Sequence, residues 1–125
     1  MIHIDQLLEL HSWIVRKTGG ANGLRDHGTL ESAINRPFAT FDGVDLYPTV
    51  IEKSAAVFES ILINHPFIDG NKHTELFLMR VLLAEENLEI GPTEDEKYDF
   101  TIQVAEGKLN TVQISAWIRS NSAKI

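Results

Sequence analysis

Two long apolar segments, separated by a short stretch rich in glycine and polar residues, constrain this chain more than any other feature. In the first segment Val50, Ile51, Ala55, Phe58, Ile61 and Leu62 recur at helical spacing, and the pattern stops near Asn64. The second starts around Gly70-Asn71 and carries Leu76, Phe77, Val81, Leu82 and Leu83 as far as Asn87. Helices apolar on most of their faces are buried ones, so the pair predicts two central helices with shorter helices packed around them. The rest of the chain supplies those helices. Asp5 caps a first helix that runs to about Lys17, with Leu7, Leu8, His11, Ile14 and Val15 on one face, and Gly19-Gly20 stops it. A glycine-rich loop from Gly19 to Gly28 leads to a short helix, Leu30 to Asn35, with Thr29 as its N-cap. Pro37 to Asp45 reads as a loop or short extended flap, and Pro48 falls in the first turn of the next helix, where proline is tolerated. Thr93-Glu94-Asp95-Glu96 is a capping box for a helix ending at Gly107, and Thr111 caps a last helix carrying Ile114, Trp117 and Ile118. The expected architecture is all-α, one compact domain spanning 1–125.

Composition narrows the chemistry. A chain of 125 residues suits a single core. It has no cysteine, which excludes disulfides and thiolate-based zinc or nucleophile chemistry and fits a reducing cytoplasm. Met1-Ile2-His3-Ile4-Asp5 has no basic region before an apolar run, so no signal peptide is expected. No stretch approaches the ~18 apolar residues of a membrane span, so neither a membrane span nor a membrane partner is expected. Net charge is −7 and the 11 Lys and Arg are scattered, which argues against direct nucleic-acid binding. An anionic small ligand is still compatible, because the field in a cleft is set locally.

The stretch between the apolar segments, His65-Pro66-Phe67-Ile68-Asp69-Gly70-Asn71-Lys72-His73-Thr74, carries definite chemistry. Gly70 and Asn71 sit where a helix begins, so unpaired N–H groups and the positive end of the helix dipole make an anion site. Lys72 adds a full charge in the first turn, as expected where phosphate is held. Asp69 is a hard oxygen ligand suited to Mg²⁺ bridging to phosphates. His65 ends the preceding helix, and an imidazole titrating near neutrality can take a proton from an attacking hydroxyl. Phe67 and Pro66 anchor the loop. Anion cradle, metal ligand and base within such a short stretch amount to phosphoryl-type transfer.

This stretch closely resembles the signature of the Fic/Doc family, H-x-F-x-D/E-G/A-N-K/G-R. Lys72 resembles the Doc branch, because the adenylyl-transferring Fic branch usually has glycine there, and Leu76 replaces that branch's second arginine. Gly23 to Ala33 and Arg36-Pro37 are similar to the N-terminal segment of Doc-like proteins, so the resemblance covers essentially the whole chain. It implies His65 as general base, Asp69 as a holder of Mg²⁺, and Gly70, Asn71 and Lys72 as the phosphate-contacting anion hole, with His73 at the nucleotide as well. It further implies ATP as substrate, phosphate transfer to a threonine or serine hydroxyl of a translation factor such as elongation factor Tu, and a Phd-like antitoxin docking as a helix into an apolar groove.

His73 departs from the family, which has arginine there. Arginine is a permanent bidentate phosphate clamp, whereas a mostly neutral histidine makes one bond at best. Losing such a contact costs about 2–4 kcal/mol of transition-state stabilisation, or roughly 10²–10³ in rate. A weakened enzyme, a variant with a different phosphate contact and a detoxified form are all compatible with the sequence. Arg80 is a weak candidate to compensate. AMP transfer, a binding-only member and a metal-dependent hydrolase built on His65 and Asp69 are the competing functions. Thr101 to Gly107 does not match the inhibitory-helix pattern of many Fic proteins, because Glu106 falls one residue too far from Thr101. Trp13, Trp117, Phe38 and Phe41 read as core or loop anchors in preference to a partner groove. Arg25-Asp26 reads as a structural pair or cap, and His3, His11 and His27 as structural.

Overall fold

In a computed structural model, which describes residues 2–125, two central helices pack against each other and the other helices pack around them. The helices are α1 (Ile4–Thr18), α2 (His27–Asn35), α3 (Val50–Asn64), α4 (Asn71–Ala84), α5 (Glu94–Ala105) and α6 (Thr111–Asn121). A 3₁₀ turn at Arg36–Phe38 follows α2, and a small hairpin, β1 (Thr40–Phe41) with β2 (Val44–Asp45), follows that. The strands β3 (Leu88–Ile90) and β4 (Ser122–Lys124) pair antiparallel, Leu88 facing Lys124. The all-α class holds, with these two short strand pairs added to it.

The helix starts are set by capping side chains that differ from the expected ones. Asp26, not Thr29, caps α2: its carboxylate accepts from the Thr29 N–H at 3.2 Å, which places the first helical residue at His27. The first helix begins ahead of Asp5, with His3 at the cap and its N–H bonded to Gln6 Oε1 at 3.0 Å. Thr49 caps α3 through the Glu52 N–H, so Pro48 lies outside the helix. Thr93 caps α5 by accepting from the Glu96 N–H, but its own hydroxyl bonds to Glu96 Oε1 at 3.0 Å, so the box is only half formed. Asn110, not Thr111, caps α6 in a full reciprocal box with Gln113. The second central helix stops at Ala84 instead of Asn87: the Glu86 and Asn87 N–H groups bond three residues back, to the Leu83 and Ala84 carbonyls at 3.0 Å, and the left-handed Asn87 (φ 58°) then leads into β3.

Two clusters form the core, and α3 belongs to both. On one side Phe58 stacks on Phe100, and Phe100 on Trp117 with ring centres 3.8 Å apart, tying α3 to α5 and α6. On the other, Leu7, Leu30, Val57, Ile61, Phe67, Leu78 and Leu82 join α1, α2, α3 and α4 to the loop between the central helices. Each such side chain stabilises by about 1.5–3 kcal/mol on burial, so the loop at 65–70 is fixed to the core through Phe67. Arg36 holds the 3₁₀ turn against α3 through Glu59 at 2.9 Å and Ser60 at 2.8 Å. Trp117 is half-buried and packs against the core. Phe41 is 76% exposed on the hairpin and so is not a core residue.

Candidate active site

The loop between α3 and α4 is held at most of its main-chain polar groups. The Asn71 side chain is buried at 9% exposure; its Oδ1 accepts from the Phe67 N–H at 3.1 Å and its Nδ2 donates to the Phe67 carbonyl at 2.9 Å. The Ile68 N–H donates to the Gly23 carbonyl at 3.1 Å, and Leu24 forms a single bridge with Phe67. The Phe67 ring is 1% exposed and stacks on His11, centres 3.8 Å apart and nearly parallel. The Nε2 of His11 lies 2.6 Å from the Asp69 carbonyl oxygen, which can only accept, so Nε2 carries the proton.

These restraints position the chemical groups. Asp69 is exposed, and its Oδ2 accepts from the Ala21 N–H at 2.8 Å. The chain at Gly20 passes so close that a Cβ there would lie 3.1 Å from the Asp69 Cβ, and its φ of 105° suits glycine alone. Gly70 (φ 79°) turns the chain into α4 where a Cβ would meet Val15 Cγ2 at 3.1 Å. The Thr74 N–H closes the first bond of α4, onto the Gly70 carbonyl at 2.9 Å, so the N–H groups of Asn71, Lys72 and His73 lie ahead of the ladder at its positive end.

A cleft of about 340 Å³ opens over this helix start, lined by Ile68, Asp69, Gly70, Asn71, Lys72, His73 and Tyr98. The structure therefore gathers five of the expected site residues, Asp69, Gly70, Asn71, Lys72 and His73, around one cavity. The Asn71 amide is spent on Phe67, which leaves its main-chain N–H as the group it offers a ligand. His65 does not line this cleft. It sits at the other end of the loop, half-buried, as the left-handed C-cap of α3 (φ 48°, ψ 61°). Burial first, then the positive charges of Lys72 and Arg25, hold its imidazole below the usual histidine range, which favours the neutral ring. Arg80 lies elsewhere, against the Phe77 ring and in the separate cleft beside β3.

Sequence reasoning missed Tyr98, which reaches the cleft from α5 with its ring 6.0 Å from that of His73. An exposed tyrosine on an amphipathic helix carries no signal of what it faces. Arg25 and Asp26 do not pair with each other: Asp26 caps α2, and Arg25 binds the end of α3. His11 is structural as expected, but its partner is the candidate site itself.

The loop thus joins an imidazole at the end of one helix to the free main-chain N–H groups at the start of the next. The Fic/DOC family profile matches residues 1–83, and the chain belongs to this family. Its similarity lies with the Doc branch. Toxin Doc of Mycolicibacterium smegmatis is 36% identical over 94 residues, covering 75% of this chain and 68% of that protein. Protein kinase doc of Escherichia phage P1 is 26% identical over 121 residues, covering 95% of this chain and 94% of that protein.

Proposed function

We propose that the chain is a Doc-like toxin that transfers the terminal phosphate of ATP to a threonine or serine hydroxyl of a translation factor such as elongation factor Tu. The observation that carries this reading is the placement of His65 at one end, and of Lys72 and the free N–H groups of the α4 start at the other end, of one short hydrogen-bonded loop. The substrate hydroxyl gives its proton to the free ring nitrogen of His65 as its oxygen bonds to the γ-phosphorus. The bond from that phosphorus to the bridging oxygen breaks, and ADP leaves. Lys72 and the N–H groups at the start of α4 stabilise the charge that spreads over the phosphoryl oxygens.

Asp69 fits a Mg²⁺ ion: it is an exposed carboxylate at the rim of the anion site, oriented by the Ala21 N–H through one oxygen. Among the described residues no group of three or more His, Asp or Glu is placed to hold a metal, so the ion would rely on Asp69 and the nucleotide's phosphates, as Mg²⁺ commonly does. When bound it neutralises phosphate charge. Tyr98 and His73 form the wall facing this end of the cleft.

The Phd-like antitoxin belongs to the same proposal. Trp13 packs on Phe77 (5.6 Å between centres), and with Val81 they expose an apolar strip across α1 and α4, with Arg16, Lys17 and Arg80 beside it. An amphipathic helix with acidic flanks is the complementary shape and charge. A cytoplasmic site of action follows from the same reading; among the described residues no helix is long and apolar enough to cross a membrane.

His73 supports a second reading, a catalytically weakened or binding-only member, since the residue lining the cleft where the signature has arginine is an exposed imidazole. AMP transfer is the third. Labelling purified translation factors with ATP carrying the label at the γ- or the α-phosphate separates them. Transfer of the γ label alone supports the proposal, transfer of the α label means AMP, and neither means a binding-only protein.

A further inference from the structure

We propose that Arg25 is the positioning residue of His65: it clasps the consecutive main-chain carbonyls of Asn64, His65 and Pro66 and so fixes the left-handed backbone from which the imidazole projects. The proposal rests on the reading of His65 as the base.

The last carbonyls of any helix lack partners within it, and a glycine in the left-handed region with a bond looping back from the next residue is the common remedy. The end of α3 has neither part of that remedy. The left-handed residue is His65, whose side chain disfavours this conformation. The residue after it is Pro66, which has no N–H to loop back. Arg25 supplies the missing donors from another segment. Its Nε donates to the His65 carbonyl at 2.7 Å, and its terminal nitrogen donates to the Asn64 carbonyl. Its own N–H donates to the Pro66 carbonyl at 2.7 Å, with the Asp26 N–H on the same oxygen at 3.1 Å. The planar fork of arginine spans two carbonyls at once, which a lysine ammonium on its flexible stem does not reproduce. A cation at this place also complements the negative end of the α3 dipole.

Arg25 has a second, separable effect. Of the charged groups acting on the His65 ring, Lys72 comes from α4 and Arg25 from the loop before α2, and both disfavour its protonation. Geometry and charge can therefore be tested apart, with Arg25→Lys keeping the charge and Arg25→Gln keeping a donor without it.

The test is an NMR titration of histidine-labelled protein, with the His65 signal identified by its loss in His65→Ala, together with hydrogen exchange of the Ile68 amide. Arg25→Gln is expected to raise the His65 midpoint by a few tenths of a unit, the scale of an exposed charge pair. Arg25→Lys is expected to leave the midpoint near that of the parent, yet speed Ile68 exchange about 10-fold. In both variants kcat falls about 10- to 100-fold with the KM for ATP little changed. Arg25 is exposed and outside the core, and unchanged cooperative melting shows that the variants fold. Unchanged midpoint and exchange in Arg25→Gln, and unchanged exchange in Arg25→Lys, overturn the proposal. A parent protein that transfers nothing counts against phosphate transfer, and the titration and exchange still decide the role of Arg25.

Discussion

His11 and Asp69 are joined across the junction of α1 and α4, the His11 Nε2–H donating to the Asp69 carbonyl oxygen at 2.6 Å while the same ring stacks on Phe67. One buried side chain on the first helix thus sets both the anchor and the acidic residue of the loop. His11→Ala removes the stack and the donor together and is expected to lower stability by about 2–4 kcal/mol. His11→Phe keeps the stack alone and should recover part of that loss. Urea unfolding measures both: equal stability of the two variants contradicts a contribution from the stack, and a His11→Phe protein as stable as the parent contradicts one from the bond.

Asn71 makes the second restraint. Asn71→Ala leaves the Phe67 N–H and carbonyl without their partners inside the protein. A buried polar group left unpaired costs about 1–3 kcal/mol, so a loss on the order of 2–4 kcal/mol is expected in thermal or urea unfolding. A change within measurement error removes the clamp from the account.

Glu75 is fully buried one turn after Asn71, and neither of its carboxyl oxygens has a hydrogen-bond partner. Burial pushes its titration well above the usual carboxylate range. Between the usual range, ~4.3, and that raised value the folded state holds a proton that the unfolded state has lost. The contribution of this residue to stability is therefore full at acid pH and declines as pH rises through the interval. Glu75→Leu is expected to stabilise the protein by about 1–3 kcal/mol near neutral pH and to flatten this decline. Urea midpoints at about pH 5 and about pH 8 for parent and variant test it; a parallel pair of profiles contradicts it.

The lowered titration of His65 fixes the acid limb of the activity profile. A base that must be unprotonated gains activity as pH rises through its midpoint, and here burial, Lys72 and Arg25 place that midpoint below the ~6.5 of a free histidine. Lys72→Gln should move the limb to higher pH. A limb at or above the free-histidine value in the parent protein sinks this part of the account.

Restoring arginine at position 73 tests the cost of the departure from the family signature. His73→Arg is expected to raise the transfer rate by roughly 10²–10³. An unchanged rate in an active parent means that Lys72 and the α4 start carry the phosphate contact on their own.

The candidate site was legible in the sequence where it is local. His65, Asp69, Gly70, Asn71, Lys72 and His73 lie in one short stretch whose helix-loop-helix setting follows from the flanking apolar periodicity. Partners distant in sequence were not legible. The bonds from His11 to Asp69, Ala21 to Asp69 and Arg25 to the end of α3 depend on how α1 and its following loop pack, and no spacing rule encodes them. The Tyr98 wall comes from α5 for the same reason. The β3–β4 pair joins two three-residue strands far apart in the chain, too short for an alternating pattern to announce. Cap positions slipped because Asp26 and Thr29, or Asn110 and Thr111, are both competent caps, and packing selects between them.

The central claim is phosphate transfer through His65. It is tested most directly by the intact mass of purified elongation factor Tu after incubation with the protein, ATP and Mg²⁺. A gain of one phosphate that disappears in His65→Ala is expected. A gain of an AMP group, or a phosphate that persists in His65→Ala, contradicts it.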